Sequence, residues 1–339
     1  MLKKLTLLFF IVALCVSGSA FLLFRQVAQF IHQPLTITTN QLFTVEAGNR
    51  LDTVLHRMSE QGWIESSAVM PWVRRLHPEL THLRVGTFEL HPGDSLQQAL
   101  MTLIHGREHQ FSITFVEGSR FRDWREALAK APQLQHQIND MSDADIGQQL
   151  ALKSPTLDGL FLPETYHYAA GMSDLDILRR AHTKLDSVLS EAWQARQQDL
   201  PFASPYEALI LASIIEKETS VPDERRRVAS VFVNRLNSKM RLQTDPTVIY
   251  GMGEAYTGNI TKKDLRTPTP YNTYIINGLP PTPIAMPSAA AIQAALDPES
   301  SRYLYFVASG KGGHVFSNTL REHNHAVSAY LQQLRAQKK

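Results

Sequence analysis

Residues 5–24 form an apolar run, LTLLFFIVALCVSGSAFLLF, that carries no charged side chain. At about 1.5 Å of rise per residue, a helix of this length crosses the roughly 30 Å hydrocarbon core of a membrane. Lys3 and Lys4 precede the run and Arg25 follows it. Because positive residues stay on the cytoplasmic side, the run predicts a transmembrane anchor with a cytoplasmic N-terminus and the rest of the chain outside.

A cleaved signal peptide is the alternative for this segment. Signal peptides have a shorter apolar core, and the best small-residue cleavage site, Ser17–Ala20, lies inside the run. An uncleaved anchor is therefore favoured. Cys15, the sole cysteine, follows Leu14, where a lipoprotein signal would have a small residue. The exported part thus has no disulfide and no cysteine-based zinc site or nucleophile.

The composition fits a globular protein with a membrane segment. Its 339 residues suffice for two or three domains with their own cores. Hydrophobic residues make up 43% of the chain and charged residues 19%, and the net charge is +2 at pH 7. No basic stripe with interleaved aromatic residues occurs, so nucleic acid is not expected as a partner.

A pattern of strand, glycine turn and helix occurs twice. The first copy opens at Phe43–Leu51 and the second at Phe115–Phe121. Each copy closes with alternating side chains and another glycine turn, and helical stretches lie between opening and closing. The pattern predicts two successive strand–helix–helix–strand (βααβ) units, at about residues 38–95 and 111–173.

A βααβ unit of this size resembles the LysM module, which binds the N-acetylhexosamine backbone of cell-wall glycans. The resemblance is one of shape and turn pattern; the alternative is that both units only space the next domain away from the bilayer. Trp63, Trp72 and Trp124 are candidates for stacking on sugars, although single aromatic residues at helical spacing are more often core. We predict an α+β chain with an anchor over 1–30, a LysM-like membrane-proximal subdomain over 31–108 and a mixed α+β domain over 109–339.

The segment from Ser204 to Thr219, SPYEALILASIIEKET, predicts an apolar helix that ends in two carboxylates. Ser204 and Glu207 have the spacing of a capping box, and Pro205 suits the first helical position. At about 100° per residue, Glu218 falls on the apolar stripe and Glu216 on the polar side. The stripe consists of Leu211, Ile214 and Ile215, and the polar side of Ser213, Lys217 and Ser220.

An apolar setting is what makes a carboxyl group a useful acid. Burial disfavours the anion and raises the pKa, so that the group can donate a proton near neutral pH. On this basis Glu218 is the candidate general acid, and only one of the two carboxylates is expected to face the core. The alternative is that Glu218 lies past the last buried turn and points into water, as charged residues at helix ends commonly do.

The segment from Arg241 to Pro287 is rich in Thr, Asn, Tyr and Pro and has little periodicity. Long loops of this kind inside a compact domain are commonly functional. Their amides, hydroxyls and aromatic rings suit a neutral ligand rich in hydroxyl groups, such as a sugar. After it, Tyr303–Val307 and His314–Ser317 predict a β-hairpin, and an amphipathic helix is expected from about Leu320 to Arg335.

Other chemistries find weaker support. The glycine-rich segment Gly310–Gly313 lies in the hairpin turn, which disfavours a phosphate site. His314, His323 and His325 cluster in the sequence, but no H-E-x-x-H motif occurs and no metal is expected. No G-x-S-x-G motif of a serine hydrolase occurs either.

Seven segments stand out together: ASIIEKET, VFVNRL, M-x-LQTDPTVIYG, YNTY, GLPPTPI, YLYFV and the late Gly313–Ser317, GHVFS. In this order they resemble the endolytic murein transglycosylase family, also called MltG or YceG-like. The resemblance runs from about residue 38 to the C-terminus, and the membrane anchor also fits it.

The resemblance implies cleavage of the β-1,4 bond between N-acetylmuramic acid (MurNAc) and N-acetylglucosamine (GlcNAc) in peptidoglycan, without water. The MurNAc C6 hydroxyl attacks its own anomeric carbon and leaves a 1,6-anhydro end, so one carboxylate suffices where most glycoside hydrolases need two. Glu218 matches the catalytic glutamate of the family, and no cofactor is implied. By the same analogy, the residues expected to bind the sugars or support Glu218 are Gln243, Thr244, Asp245, Tyr271, Asn272, Tyr274, Asn234 and Glu164.

The resemblance also implies a location and a role. Peptidoglycan strands are the expected substrate, and the catalytic domain is expected in the periplasm, held at the inner membrane by a single span. Ending the growth of nascent strands is the expected role, with contact to peptidoglycan synthases as a further expectation. A two-carboxylate hydrolase and a non-catalytic wall-binding scaffold remain as the other classes.

Overall fold

The computed structural model describes residues 2–337. The chain divides into two compact units. The first unit consists of the chain up to Phe111 together with Tyr168–Ala170, and the second of Ser112–His167 and the chain from Gly171 onward. Both units contain helices and strands, so the predicted α+β class is confirmed.

The N-terminal helix α1 (Leu2–Ile31) is longer than the apolar run. Its part from Lys4 to Ile31 is long and apolar enough to cross a membrane. The side chains from Lys4 to Leu22 are exposed, whereas Val27, Phe30 and Ile31 are buried in the core of the first unit. The last two turns of α1 therefore belong to the folded unit, which explains why the helix continues past Phe24.

The rest of the first unit has the βααβ order that the glycine turns predict. Strand β1 (Gln41–Val45) is followed by helices α2 (Leu51–Glu60) and α3 (Met70–Leu76), strand β2 (Gly86–Leu90) and helix α4 (Leu96–His105). The two strands are antiparallel, with Phe43 opposite Phe88. Both phenylalanines are buried in the core of the first unit.

The three tryptophans differ in their surroundings. The Trp63 ring packs edge-on against Phe43, with 5.8 Å between the ring centroids. Trp72 is 38% exposed, with the Arg75 guanidinium 4.9 Å from its ring centroid. Trp124 in the second unit is buried and stacks on Phe115. Of the three, Trp72 is the most accessible to a ligand.

Another strand, two helices and a strand come next in the chain: β3 (Phe111–Thr114), α5 (Phe121–Lys130), α6 (Asp143–Gln149) and β4 (Thr165–Tyr168). All of these residues except Phe111 and Tyr168 belong to the second unit. Strands β3 and β4 form a two-stranded sheet, and the Thr114 and Thr165 hydroxyl oxygens lie 2.8 Å apart. Helix α7 (Asp174–Gln194) follows directly, and its first turn is capped by Ser173 through Asp176 N.

The core of the second unit surrounds helix α8 (Pro205–Glu218). Helices α7, α9 (Arg225–Asn237) and α11 (Ala289–Leu296) pack against α8. All eight residues from Ala208 to Ile215 are buried. Seven of them are apolar, and the Ser213 hydroxyl donates to Ile210 O and accepts from Ile284 N.

The start of α8 differs from its prediction in one bond. The Ser204 hydroxyl caps the helix by accepting a hydrogen bond from Glu207 N at 3.3 Å. The Glu207 carboxylate accepts from Ala203 N at 2.7 Å, and not from Ser204 N as a capping box requires. The N-cap prediction is thus confirmed, and the reciprocal bond falls one residue earlier.

Between α9 and α11 the chain has only short helical elements. These are α10 (Asp245–Met252) and 3-10 turns at Gly253–Ala255 and Asp264–Arg266. Strands β5 (Tyr305–Ala308) and β6 (His314–Ser317) form the predicted antiparallel hairpin. The helix predicted after it is confirmed as α12 (Leu320–Gln337).

Candidate active site

The two carboxylates at the end of α8 both lie in sheltered positions. The Glu216 side chain is only 6% exposed, so the expectation that only one of them faces the core is wrong. Its Oε2 accepts hydrogen bonds from Ser288 N at 3.0 Å and from the Ser288 hydroxyl, and its Oε1 lies 3.7 Å from Arg225 Nη2. Ser288 is the N-cap of α11, so Glu216 ties the end of α8 to the start of α11.

Glu218 has a different environment. It is partly buried, and its Oε1 accepts a hydrogen bond from the Thr244 hydroxyl. Burial raises the pKa of Glu218 to about 7, although the Thr244 bond acts in the opposite direction. The charge of Asp245 adds to the rise, and those of His314 and Arg235 oppose it. The direction of the shift is the one that the apolar helix face predicts.

Thr244 is held in place by a buried group of threonines. Thr244 N donates to the Thr273 hydroxyl at 3.0 Å, and the Thr247 hydroxyl donates to Thr244 O at 2.8 Å. The Thr247 and Thr273 hydroxyl oxygens are 2.8 Å apart, and all three residues are at most 2% exposed. This network fixes the hydroxyl that contacts Glu218.

Glu218 opens onto a cleft of about 370 Å³. Five of the predicted site residues line it: Glu218, Gln243, Thr244, Asp245 and Tyr274. The other lining residues are Phe232, Arg235, Leu242, Tyr305, Phe306, Leu320 and His323. The cleft therefore combines one sheltered acid with hydroxyl, amide and aromatic groups.

Tyr274 and Asp245 form a pair on the wall of the cleft. The Tyr274 hydroxyl donates to Asp245 Oδ1 at 2.7 Å. Burial, together with this hydrogen bond, raises the pKa of the Tyr274 hydroxyl, so it stays protonated at neutral pH. Asp245 is the first residue of α10, where the helix dipole favours a negative charge.

Gln243 has a strained backbone. Its φ angle is +49°, in the left-handed region that residues other than glycine seldom adopt. The bond from Gln243 N to Thr273 O, at 3.2 Å, holds this conformation. Strained residues of this kind cluster at functional sites, and Gln243 lies directly before Thr244.

Tyr271 and Asn272 do not line the cleft. The Tyr271 hydroxyl lies 2.8 Å from the Thr282 hydroxyl, and its ring packs on Tyr250. Asn272 is fully buried, and its Oδ1 accepts from Tyr274 N at 3.0 Å. Its Nδ2 donates to the carbonyls of Asp264, Leu265 and Thr267. Both residues therefore shape the loop that carries Tyr274.

Asn234 and Glu164 also lie outside the cleft lining. Asn234 Nδ2 donates to Ser301 O at 3.1 Å and to Tyr303 O at 2.9 Å, which ties α9 to the segment before β5. Glu164 forms an ion pair with Lys184 of α7. Both contacts therefore join segments that are distant in the chain, 67 and 69 residues apart for Asn234 and 20 residues apart for Glu164.

Two of the three clustered histidines are near Glu218, but they have different partners. His314 Nδ1 lies 2.7 Å from Glu224 Oε2, and His314 N donates to Glu224 Oε1 at 2.8 Å. The His323 ring stacks on Tyr305 in the cleft. Within residues 2–337, no group of three or more His, Cys, Asp or Glu side chains could hold a metal ion.

Sequence reasoning missed several residues of the cleft, chiefly Arg235, Tyr305 and His323. The sequence does contain an indication that Arg235 has a special role. It shares one helical face with the buried residues Val228, Val231 and Phe232. A charged residue on a buried face is uncommon and suggests a specific partner. Tyr305 and His323 come from β5 and α12, whose approach to α9 no local pattern reveals.

A carboxyl group with a near-neutral pKa in a polar and aromatic cleft is typical of enzymes that use acid–base chemistry. The model of the YceG-like family matches residues 43–329 of the chain. The chain belongs to this family.

Named relatives are found in three bacteria. An endolytic murein transglycosylase of Bacillus subtilis is 29% identical over 331 residues, which cover 93% of this chain and 91% of the relative. One of Streptococcus pneumoniae is 29% identical over 223 residues, 61% of this chain and 36% of the relative. The crystal structure of a YceG-like protein from Listeria monocytogenes aligns with a TM-score of 0.55 at 29% identity, over 85% of this chain and 99% of that one.

Proposed function

We propose that this protein is an endolytic murein transglycosylase, which cleaves the β-1,4 bond between MurNAc and GlcNAc in peptidoglycan strands and leaves 1,6-anhydroMurNAc ends. The names of the relatives support this activity. The observation that carries the mechanism is the environment of Glu218, whose pKa burial raises to about 7. A group with this pKa is both a usable acid and a usable base at neutral pH.

In the proposed reaction Glu218 acts twice. Its carboxylic acid donates a proton to the glycosidic oxygen, while the bond from that oxygen to C1 of MurNAc breaks and leaves its electron pair on the oxygen. The C6 hydroxyl oxygen of the same MurNAc then bonds to C1, and its proton passes to the Glu218 carboxylate. Glu218 is protonated again and no water is consumed. The attacking hydroxyl belongs to the substrate, so a second carboxylate is not required.

The other cleft residues have supporting roles in this proposal. Thr244 orients the Glu218 carboxyl through its hydroxyl, and Gln243, Asp245 and Tyr274 bind the sugars and their N-acetyl groups. The remaining candidates act indirectly. Asn272 holds Tyr274 N, Tyr271 packs the same loop, Asn234 anchors the segment before β5, and Glu164 braces α7 through Lys184.

We further propose that α1 anchors the enzyme in the inner membrane with the catalytic unit in the periplasm. The length and apolar character of residues 4–31 support the span, and Lys3 and Lys4 support a cytoplasmic N-terminus. This location suits the termination of nascent strands and contact with peptidoglycan synthases. Co-purification with a synthase, lost when residues 5–24 are exchanged for a cleaved signal, would support the contact; co-purification that survives the exchange would contradict it.

The first unit is proposed to be LysM-like and to bind glycan. Its βααβ order and the antiparallel β1–β2 pair support this, and Trp72 offers an accessible ring. A Glu218→Gln protein should sediment with purified glycan strands, and Trp72→Ala in the same background should weaken sedimentation. Unchanged sedimentation would support the alternative that the unit is only a spacer.

Product analysis tests the activity. Purified glycan strands are digested with the protein, and the fragments are weighed by mass spectrometry. The proposal predicts anhydro ends, one water lighter than the hydrolytic product. Reducing ends would instead indicate a hydrolase, and intact strands that sediment with the protein would indicate a scaffold.

A further inference from the structure

Arg235 of α9 is a buried cation in the wall of the Glu218 cleft. The residue is 8% exposed. Its Nε donates to Leu304 O at 2.7 Å, and its Nη1 donates to Leu242 O at 2.9 Å and to Arg241 O at 3.2 Å. The Gln243 amide oxygen lies 3.4 Å from the same Nη1. Backbone and amide oxygens thus fix one side of the guanidinium rigidly.

No carboxylate in the described part of the chain is in direct contact with the Arg235 guanidinium, although the charge of Glu218 interacts with it at longer range. Among the described residues, no carboxylate oxygen lies within the 4.0 Å of an ion pair, and Nη2 has no hydrogen-bond acceptor. A guanidinium stays protonated in proteins, although burial lowers the pKa of Arg235. Buried charges are normally paired in direct contact, and the described residues leave such a contact at Nη2 open to an anion of the ligand.

Arg235 lines the cleft, and its Nη2 is the guanidinium nitrogen without an acceptor among the described residues. Since Nε and Nη1 are bound to the protein, Nη2 is the part of this lining residue left for a ligand. The Tyr305 ring covers one face of the guanidinium, 5.1 Å from its carbon, and a ring face compensates a charge only weakly. Burial and the charge of Arg235 lower the pKa of His323, so Arg235 is the cation among the lining residues near neutral pH.

The reaction itself makes an isolated cation here unfavourable. Positive charge develops at C1 of MurNAc during cleavage, and a fixed cation in the same cleft repels it. An anionic group of the substrate, bound between Arg235 and the reacting sugar, would remove this cost. The two carboxylates of the cleft, Glu218 and Asp245, are engaged by the hydroxyls of Thr244 and Tyr274, and both lie outside ion-pair distance of Arg235.

We propose that Arg235 binds a carboxylate of the peptidoglycan strand and so selects glycan that bears this acidic substituent. The carboxylate belongs either to the lactyl group of peptide-free MurNAc or to the peptide stem. The inference rests on the proposed function and adds to it the feature of the substrate that is recognised.

Binding to chemically altered strands tests this without a change in Arg235. The catalytically impaired Glu218→Gln protein is mixed with four strand preparations: peptide-free strands with lactyl carboxylates free or converted to methylamides, and peptide-bearing strands with stem carboxylates free or converted. Neutralising the recognised carboxylate should weaken binding about tenfold or more, as for a hydrogen bond to a charged group. The pair of preparations that shows the loss of binding identifies whether the recognised carboxylate belongs to the lactyl group or to the peptide stem. Equal binding of all four would overturn the proposal.

Variants of Arg235 test whether this residue is responsible for the preference for strands with free carboxylates. Arg235→Gln and Arg235→Lys are compared with Arg226→Gln, a control on the same helix whose side chain is 56% exposed and pairs with Asp297 outside the cleft. We expect Arg235→Gln to bind charged and neutralised strands equally, Arg235→Lys to keep part of the preference, and Arg226→Gln to keep all of it. If Arg235→Gln weakens binding to both kinds of strand by the same factor, Arg235 is structural and the proposal is wrong.

The failure of this inference differs from that of the proposed function. If the wild-type protein produces no anhydro ends from any preparation, the proposed reaction is wrong. The difference in binding between strands with free and converted carboxylates still tests the role of Arg235 in that case. If anhydro ends form and the Glu218→Gln protein binds all four preparations equally, the reaction stands and the role of Arg235 is wrong. Thermal unfolding of each variant shows whether Arg235→Gln still folds.

Discussion

The two sides of the last turn of α8 carry the same functional group in opposite settings. Glu216 accepts two hydrogen bonds from the N-cap of α11 and lies near Arg225. Glu218 accepts one hydrogen bond, from Thr244, and borders a cleft that can admit a ligand. The side chain with more compensating partners joins two helices, and the one with fewer is available for proton transfer. Shelter from water is therefore not sufficient to identify an acid.

The largest effect is expected when the acid is removed. Glu218→Gln keeps the shape and most contacts of the side chain but cannot donate or take a proton, so strand cleavage should fall by about 10²- to 10⁴-fold. The rate of release of anhydro ends measures this. Full activity of Glu218→Gln, together with its loss in Glu216→Gln, would reverse the assignment of the two residues.

The pH dependence of cleavage is the next test. Because burial raises the pKa of Glu218 to about 7, the protonated acid that starts the reaction is depleted above that pH. The rate should fall up to about tenfold per pH unit on the alkaline side. Rates measured from pH 5 to pH 9 on saturating strands would show this limb. A rate that is constant through pH 8 would contradict the raised pKa.

Glu216→Gln should act mainly on stability. It replaces a buried carboxylate that is bound to Ser288 and lies near Arg225, and should lower the free energy of unfolding by about 1–3 kcal/mol. Cleavage should fall less than with Glu218→Gln, because the end of α8 is loosened while the acid remains. Denaturant unfolding and cleavage rates of the same preparation measure both effects. A catalytic loss without a loss of stability would point to a direct role for Glu216.

Glu218→Gln should have an opposite effect on stability at alkaline pH. A carboxyl group whose folded pKa exceeds its unfolded value stabilises the protein at low pH, and this contribution is lost as the pH rises through the folded pKa of about 7. At pH 8 the neutral glutamine should therefore raise the unfolding free energy by up to about 3 kcal/mol, since one pKa unit corresponds to about 1.4 kcal/mol. Near pH 4 the two proteins should be alike. An equal difference at both pH values would contradict the linkage.

The smallest effect is expected for Thr244→Val. The Thr244 hydroxyl lowers the pKa of Glu218, so its removal should move the alkaline limb of the pH profile upward, by less than about one unit. The buried Thr247 and Thr273 hydroxyls remain paired with each other, which preserves the local fold. A downward shift would mean that Thr244 does not act through its bond to Glu218.

The sequence predicts the elements better than their mutual contacts. Helix α8, the βααβ order and the β5–β6 hairpin follow from caps, periodicity and glycine turns, which act over a few residues. Helical phase also predicts the direction of the Glu218 pKa shift. It misplaces Glu216 because Ser288, its partner, is 72 residues away in the chain, and no local pattern brings α11 against α8.

The predicted site residues also fall into two groups, those that line the cleft and those whose side chains bond elsewhere. Gln243, Thr244 and Asp245, which the resemblance to the family suggests as site residues, form one short segment and line the cleft together with Tyr274. Asn234 and Asn272 are candidates by analogy with the family. Asn272 bonds to carbonyls of its own loop, as local turns commonly require, whereas Asn234 bonds to the distant Tyr303 O. Arg235 was overlooked because its role depends on carbonyls of two other segments.

Cleavage in heavy-oxygen water tests most directly whether Glu218 alone directs attack by the substrate's own hydroxyl. Wild-type, Glu216→Gln and Glu218→Gln proteins are incubated with purified strands in this solvent, and the new ends are weighed. We expect anhydro ends without heavy oxygen from the wild-type and Glu216→Gln proteins, and almost no new ends from Glu218→Gln. Reducing ends that carry heavy oxygen, or undiminished cleavage by Glu218→Gln, would contradict the account.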